Sequence, residues 1–187
     1  MVRTRQNIVR KPIASQITNR NFLAPSGFKF TISKAPKVTF FGNMVNVPGL
    51  TLGVAQQPSY LKSIPRPGEI IEFDDLTLRF LVDENLENYL EIQNWIRGLG
   101  FPESLGEIYD FQEQDNVGDL KNKELNLDCD GTLTILNNIN NPVFHVNFEG
   151  LFPYSLTTLN FDATQTDIEY FTAEVNFKYT IYNITTA

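Results

Sequence analysis

The sequence predicts a mainly β fold, in which an antiparallel sheet with one face in water is flanked by one α-helix. From residue 28 onward, apolar and polar residues alternate in several runs, a period of two that is typical of half-buried strands. Residues 83–99 instead repeat apolar residues every three or four positions, as one face of a helix requires. Strands with a polar second face indicate an antiparallel sheet in contact with water.

Before the helix, the strand pattern is clearest in residues 76–82, where apolar residues occupy alternate positions and the run ends at Asp83. Residues 28–32 alternate in the same way, and residues 38–41 and 44–47 continue in β-forming residues. Residues 50–56 are predicted to extend again. Residues 58–68 hold three prolines, which favours an extended loop or a sheet edge over a central strand.

The helix is predicted over residues 83–99 and is the only convincing helix of the chain. Asp83 or Asn85 is suited to cap its first turn, and Gly100 and Pro102 are suited to end it. Trp95 lies near the apolar face and is predicted to anchor the helix to the sheet. The predicted apolar face consists of Leu86, Tyr89, Leu90, Gln93, Ile96 and Leu99.

After the helix, residues 132–136 and 144–148 predict a hairpin, and the segment Gly150 to Pro153 interrupts the alternation. The last predicted strand covers residues 171–181, about twice the common strand length. Its apolar face alternates with a polar face that includes Glu174, Asn176 and Lys178 and is polar enough to meet water.

Basic and acidic residues are separated along the chain. The first 68 residues hold ten Lys and Arg and no acidic residue, whereas residues 69–187 hold all 22 acidic residues and five basic ones, so the formal charges are +10 and −17. Residues 1–26 form a basic arm that cannot bury its scattered apolar residues, and residues 103–130 form an acidic insertion within the domain of residues 27–187. Such an arm predicts docking on an acidic surface, which nucleic acid, the rest of the same molecule or a neighbouring copy of the chain could supply, and we favour the neighbouring copy.

The composition argues against several other classes of protein. The net charge of −7 and the pI of about 4.7 argue against general duplex-DNA binding, which needs an excess of cationic contacts to phosphates. Cys129 is the only cysteine, so no intrachain disulfide forms. No apolar run has the length of a signal peptide or a membrane span, which predicts a soluble chain without a membrane partner.

Residues able to carry catalysis are scarce. His145 is the only histidine, and alternation places it opposite Phe144 and Phe148, as a surface or sheet-edge residue. Cys129 lies between Asp128 and Asp130, whose charges disfavour a reactive thiolate. No phosphate-binding glycine motif or calcium loop is assembled. We therefore expect no catalytic, cofactor-binding or metal site, and no enzyme.

Three stretches in order resemble a known family. They are Asn46-Val47-Pro48-Gly49, then the strand-to-helix unit from Leu76 through Asp83 to Trp95, and then Gly150-Leu151-Phe152-Pro153 leading through Thr166-Asp167 into residues 170–175. Over residues 28–182 this sequence resembles the tail-tube proteins of contractile-tailed bacteriophages. In that family, a strand ends in an acidic residue before a Trp-containing helix, and a Gly-Leu-aromatic-Pro turn precedes the last strand pair.

The resemblance implies an antiparallel β-sandwich or half-barrel that completes a larger barrel when six copies form a ring. Stacked rings would form the tube through which the genome leaves, so DNA would pass without specific binding. The implied partners are further copies and other tail tube, sheath or baseplate proteins. The implied location is the phage tail of the virion, assembled in the host cytoplasm. Glu174, Asn176 and Lys178 would then face the channel.

The basic arm and the acidic insertion depart from a minimal tube subunit. We expect Arg3, Arg5, Arg10 and Lys11 to contact the insertion of an adjoining subunit, which contains Asp110, Glu113, Asp115 and Asp119. The position in the tail is left open between the repeated tube subunit, a baseplate-proximal initiator ring and a neck-proximal terminator ring. The alternative from another class is a monomeric binding module whose arm grips nucleic acid or another protein.

Overall fold

The structure is a computed structural model, and it describes residues 21–100, 102–103, 128–162, 164 and 170–187. In chain order the elements are β1 (Phe28–Ile32), α1 (Pro36–Phe40), β2 (Gly42–Val45), β3 (Leu50–Gln57), β4 (Ile64–Phe73), β5 (Leu76–Leu81), α2 (Glu87–Gly100), β6 (Cys129–Leu136), β7 (Pro142–Leu156), β8 (Thr172–Lys178) and β9 (Ile181–Thr186). The predicted contact residues of the arm and of the acidic insertion lie outside the described residues.

Two four-stranded antiparallel sheets share the long strand β7. Sheet A has the order β1-β6-β7-β9, and sheet B has the order β7-β8-β5-β2. Strands β3 and β4 form a separate two-stranded hairpin. The predicted fold class, mainly β with an antiparallel sandwich or half-barrel, is confirmed.

Strand β7 passes from one sheet to the other without ending, which corrects the predicted interruption at residues 150–153. Gly150 adopts a φ of 66°, and a Cβ there would meet Thr180 Oγ1 at 2.7 Å, so only glycine fits this bend. The predicted strand over residues 171–181 is also wrong as one element, because it is divided into β8 and β9 around Thr180. Its register along β7 is nevertheless continuous, since Glu149 pairs with Ile181 and Phe152 pairs with Lys178.

The core lies between the two sheets and under the helices. Alternate residues of β5 and β8 are fully buried, including Phe80 and Phe177, as the period of two predicts. Phe30 of β1 packs edge to face on Phe148 of β7, with ring centroids 6.4 Å apart. The buried apolar set is Phe30, Ile32, Ala35, Val38, Leu76, Leu78, Phe80, Ile92, Trp95, Leu133, Val146, Phe148, Leu151, Ala173, Val175 and Phe177.

The structure contains a second helix that the sequence analysis missed. Helix α1 replaces the strand predicted over residues 38–41; Pro36 occupies its first turn, and Val38 is fully buried. Proline suits a first helical turn because its missing N–H has no partner there in any case. A short helix at this point carries the chain from β1 at the edge of sheet A to β2 at the edge of sheet B.

Helix α2 begins at Glu87, four residues later than predicted. Neither Asp83 nor Asn85 is its first residue; instead, the buried Asn88 side chain donates to the Leu81 carbonyl at 2.7 Å and accepts from the Asp83 N–H at 3.2 Å. The predicted anchor is confirmed, because Trp95 is buried with its ring 6.1 Å from that of Phe177.

The buried face of α2 is also displaced from the predicted face. Its fully buried residues are Asn88, Ile92, Trp95 and Gly98, whereas Leu90 and Gln93 of the predicted face are exposed. Apolar residues on one helix face are spaced three or four positions apart, and these two spacings are compatible with more than one face. The apolar pattern alone therefore did not fix which face of the helix is buried.

Candidate assembly surfaces

The β3–β4 hairpin projects from the sandwich with an apolar face in solvent. Leu50, Leu52, Val54 and Ile71 are 58%, 48%, 63% and 54% exposed. Leu52 pairs with Ile71 across the hairpin, and directly opposed residues share a face, so Leu50, Leu52 and Ile71 form an apolar stripe. A register shift separates this stripe from Val54. On the opposite face Thr51 pairs with Glu72, and Ile70 is 71% exposed. The prediction of a sheet edge for the proline-rich segment fits Pro65 and Pro67, which lie in β4.

The base of the hairpin is fixed to the sandwich by hydrogen bonds. The Asn46 side chain donates to the Asp75 carbonyl at 3.0 Å and accepts from the Thr77 N–H at 2.7 Å. The Asp74 N–H donates to the Gly49 carbonyl at 3.1 Å, which closes the two ends of the hairpin together. The hairpin therefore leaves the body from a defined position.

Aromatic packing supports the same base. Phe73, at the end of β4, lies edge to face with Tyr179 and Tyr182, at centroid distances of 6.0 and 5.8 Å. The Tyr182 hydroxyl donates to the Pro48 carbonyl at 3.0 Å, and the Tyr179 hydroxyl donates to the Asp74 carbonyl at 2.8 Å. Burial raises the pKa of Tyr179 to about 12, so this hydroxyl stays a donor throughout the physiological range.

Both sheets end in open edges. Within the described parts of the chain, no strand pairs with the outer sides of β1, β2 or β9. Unpaired N–H and C=O groups along such an edge are templates for a strand of another molecule. The separate hairpin and the open edges together are features of a subunit whose sheets are extended by other chains.

The polar residues predicted on β8 lie on the outer face of sheet B. Glu174 and Asn176 are half-buried and Lys178 is exposed, whereas Ala173, Val175 and Phe177 between them are buried in the core. Asn176 accepts a hydrogen bond from Thr77 Oγ1 at 2.8 Å, and Glu174 lies opposite Arg79 of β5. The structure brings these three residues onto one surface, as the alternation predicts.

Lys178 is also part of a three-residue cluster with Asp75 and Tyr154. The Lys178 ammonium and the Tyr154 hydroxyl both donate to the Asp75 carboxylate, and these hydrogen bonds hold the pKa of Asp75 below its usual range. The ammonium also lies 5.5 Å from the centre of the Tyr154 ring. Positive and negative side chains are thus balanced on this face.

The residues considered for catalysis have structural surroundings. His145 Nδ1 lies 3.0 Å from Thr134 Oγ1 in the middle of sheet A, between β6 and β9 rather than at an edge. Burial, with smaller contributions from Asp130 and Asp128, raises the pKa of Cys129 to about 12. Its ionised form is disfavoured, as predicted, but burial contributes more than the two charges. The described residues contain no cluster of His, Cys, Asp and Glu that could hold a metal.

A family model described as "Phage tail tube protein" matches residues 14–185. The chain belongs to the phage tail tube protein family. No curated protein matches this chain. Within the described residues, neither helix has the length and apolar character to span a membrane.

Solved structures share the fold of this tail tube protein at low sequence identity. A chain of the anti-feeding prophage tube-terminating cap matches with a TM-score of 0.56 and 17% identity, covering 95% of this chain and 100% of that one. A chain of the anti-feeding prophage baseplate matches with a TM-score of 0.56 and 13% identity, covering 84% of this chain and 90% of that one. A chain of the sheath-tube complex of an extracellular contractile injection system matches with a TM-score of 0.55 and 16% identity, covering 90% of this chain and 94% of that one.

The exposed hairpin was not predicted from the sequence as a candidate interaction surface. Residues 50–56 alternate like a buried strand, and the signal that distinguishes them is the following segment with three prolines. Prolines confine a strand to a sheet edge, so this segment marks β4 as an edge strand but does not show what covers the apolar stripe.

Proposed function

We propose that this chain is a virion structural protein that assembles as a hexameric ring, and that rings stack into a tube around an aqueous channel. The observation that carries the proposal is the exposed apolar stripe of the β3–β4 hairpin beside open sheet edges. An isolated two-stranded ribbon is at best marginally stable in water. Its apolar face is therefore expected to pack on an adjoining copy.

The open edges supply the contact between copies within one ring. Strand addition between neighbours would join the sheets of six copies into one larger barrel, which satisfies the unpaired backbone groups of β1, β2 and β9. The resemblance to tail tube proteins supports the number six. In this arrangement the role is structural rather than catalytic, and no cofactor is required.

The outer face of sheet B is our proposed channel lining. Glu174, Asn176 and Lys178 give it a hydrated surface without an excess of cations, and the chain as a whole carries a net charge of −7. A conduit of this kind lets a phosphate backbone pass without sticking. DNA is therefore proposed as cargo and not as a specifically bound ligand.

The proposed channel lining is testable with one introduced cysteine. Asn176→Cys should react with a gold-labelled maleimide, whereas native Cys129 stays unreactive because burial raises its pKa. Electron-microscope projections along the ring axis should then show gold inside the ring. Gold at the outer rim would place sheet B on the outside and would contradict the assignment.

The proposed partners are further copies of the chain and other tail tube, sheath or baseplate proteins of a phage or phage-like particle assembled in the host cytoplasm. The chain is either the repeated tube subunit or a baseplate-proximal initiator or neck-proximal terminator ring. Contact between the basic arm and the acidic insertion of an adjoining subunit, with a domain boundary near residue 26, remains a prediction.

Sedimentation velocity combined with negative-stain electron microscopy tests the proposal. The purified chain should form rings or filaments of six-fold symmetry. A single species near the chain mass of 21.3 kDa at every concentration would instead support the monomeric binding module. Salt-dependent binding of nucleic acid by that monomer would identify the arm as a nucleic-acid grip.

A further inference from the structure

An apolar furrow runs along helix α1. It consists of three adjoining cavities with volumes of about 350, 360 and 610 Å³. The first and second cavities share Phe40, and the second and third share Phe41. The furrow therefore continues from Phe28, at the start of β1, to Phe171, just before β8.

The apolar side chains of the furrow lie open to solvent. Phe40 is 81% exposed, and Leu81 and Phe171 are each 38% exposed. The rings of Phe40 and Phe41 lie edge to face at a centroid distance of 5.0 Å and form a ridge between the cavities. A concave apolar surface of this kind is suited to hold the side chains of another segment.

The charge of the furrow changes along its length. The first cavity is lined by Lys29 and no carboxylate. The second and third cavities are lined by Asp83, Glu84 and Glu87 against the single cation Lys37, which pairs with Glu87 at 2.7 Å. Among the described residues, no ion pair involves Asp83 or Glu84. The furrow thus becomes more acidic away from β1.

Of the segments that lie outside the described residues, only residues 1–20 match this furrow. They hold five cations and no acidic residue. Residues 104–127 hold six acidic residues and two lysines, and residues 165–169 hold two acidic residues and no cation. The acidic rim would repel both of these segments, so charge complementarity selects the arm.

The order of residues within the arm also fits the order of charges in the furrow. Residues 12–19 hold no charged side chain and include Ile13 and Ile17, whereas residues 1–11 hold four cations. If the arm lies in the furrow from the Phe28 end, its uncharged stretch comes first and its cations reach the acidic end.

The arm leaves the sandwich beside the furrow of the same chain. The Gly27 N–H donates to the Ala24 carbonyl in a turn just before β1, and Phe28 lines the first cavity together with Phe40. Helix α1 has five residues and is about 7.5 Å long, whereas nine extended residues reach about 30 Å, so residues 12–20 can pass the whole helix.

Covalent attachment favours the furrow of the same chain over that of another copy. A short tether gives the attached segment an effective concentration on the order of 1 mM. At a chain concentration on the order of 1 μM, docking within one chain is therefore favoured by a factor on the order of 10³ over docking on another free copy.

We propose that residues 1–20 dock in the furrow of their own chain, with residues 12–19 along α1 and the cations of residues 1–11 at Asp83 and Glu84. The docked arm covers the exposed ring of Phe40 and the apolar floor at the far end of the furrow. This contact is intramolecular and does not depend on the formation of rings. It assigns the arm an acceptor other than the acidic insertion of an adjoining subunit.

Photo-crosslinking in the full-length chain tests the assignment. A photoreactive benzoylphenylalanine replaces Phe40, whose exposed side chain lies outside the core. After irradiation, mass spectrometry should find peptides of residues 1–20 linked to position 40. In a denaturing gel the linked product should keep the mass of one chain, 21.3 kDa. The same link in a product of twice that mass would place the arm on another copy and would overturn the assignment.

The matched control carries the photoreactive group at Ile139, in the turn between β6 and β7. Ile139 is 79% exposed, close to the 81% of Phe40, and it also lies near the arm exit, because the Leu136 N–H donates to the Gly27 carbonyl. Docking should give a several-fold higher yield of the arm cross-link at position 40 than at position 139. Equal yields would show that the links report only nearness to the exit, and docking in the furrow would be rejected.

Charge reversal tests the acidic end of the furrow. Glu84→Lys should lower the yield of the arm cross-link at position 40 about threefold, the size expected for an exposed ion pair. Glu149→Lys makes the same change in net charge at an exposed position of β7 outside the furrow and should leave the yield unchanged. Equal yields in the two variants would contradict the proposed charge match.

Other outcomes would identify a different occupant. Links from position 40 to residues 104–127 or to the β3–β4 hairpin, in place of links to residues 1–20, would overturn docking of the arm and leave the tube proposal standing. A chain that gives the expected links but never forms rings would support docking of the arm and would overturn the tube proposal.

Discussion

Replacing Leu52 by lysine should prevent stacking while leaving the sandwich folded. Leu52 lies in the apolar stripe of the hairpin and is 48% exposed in the single chain. Full burial of a leucine contributes about 1.5–3 kcal/mol, so covering its exposed half in an interface contributes about 0.7–1.5 kcal/mol per copy. Over six copies, the lost contact weakens each ring interface by about 4–9 kcal/mol, before the cost of desolvating lysine is added.

The matched control is Thr51→Lys, which introduces the same charge one residue away on the other face of the hairpin, opposite Glu72. Sedimentation velocity should show assemblies for the wild type and for Thr51→Lys, and a species near the monomer or single ring for Leu52→Lys. Circular dichroism should give the same β-sheet spectrum for all three, which shows that the sandwich is folded in each. Leu52→Lys tubes that form at wild-type concentration would refute the assignment of the stripe as an interface.

Further expectations concern the hairpin and the core. Gly68→Val should deform the hairpin and reduce assembly without lowering the melting temperature of the sandwich, because a Cβ there would meet the Gly53 carbonyl oxygen at 2.5 Å. Asn88→Ala should lower the free energy of unfolding by about 1–3 kcal/mol in chemical denaturation, since it removes both hydrogen bonds at the α2 entry; an unchanged midpoint would show that those bonds contribute nothing. Cys129 should resist thiol reagents at pH 8 until the chain is unfolded. Its pKa is raised from 9.0 to about 12, so its contribution to stability is present below pH 9 and is lost as the pH rises toward 12; rapid labelling of the native chain would contradict this.

Elements with one face in their own core were predictable from the sequence. Residues 76–82 and 144–148 alternate because every second side chain enters the core between the sheets, and that pattern is visible without coordinates. Helix α1 was not predictable in this way, because residues 38–41 are good strand formers. The buried position of Val38 and the first-turn position of Pro36 outweigh that local preference.

Alternation also cannot tell which molecule covers an apolar face. Leu50, Leu52 and Val54 follow the same pattern as Leu76, Leu78 and Phe80, yet the first set is exposed and the second is fully buried. A strand buried against a partner and a strand buried in its own chain obey the same period of two. The proposed assembly surface therefore became visible only when the topology placed β3 and β4 outside both sheets.

The ribbon of β7 with β8 and β9 has a mechanical consequence. The pairing of β7 passes from β9 to β8 in one register up to Pro153 and shifts by one residue before Ser155, and the base of the hairpin rests on Tyr179 and Tyr182 near the middle of the ribbon. A pull directed along these strands loads their backbone hydrogen bonds together, in shear, whereas a pull at right angles would open them one after another. Tension along β7 would thus be resisted by the whole length of the ribbon.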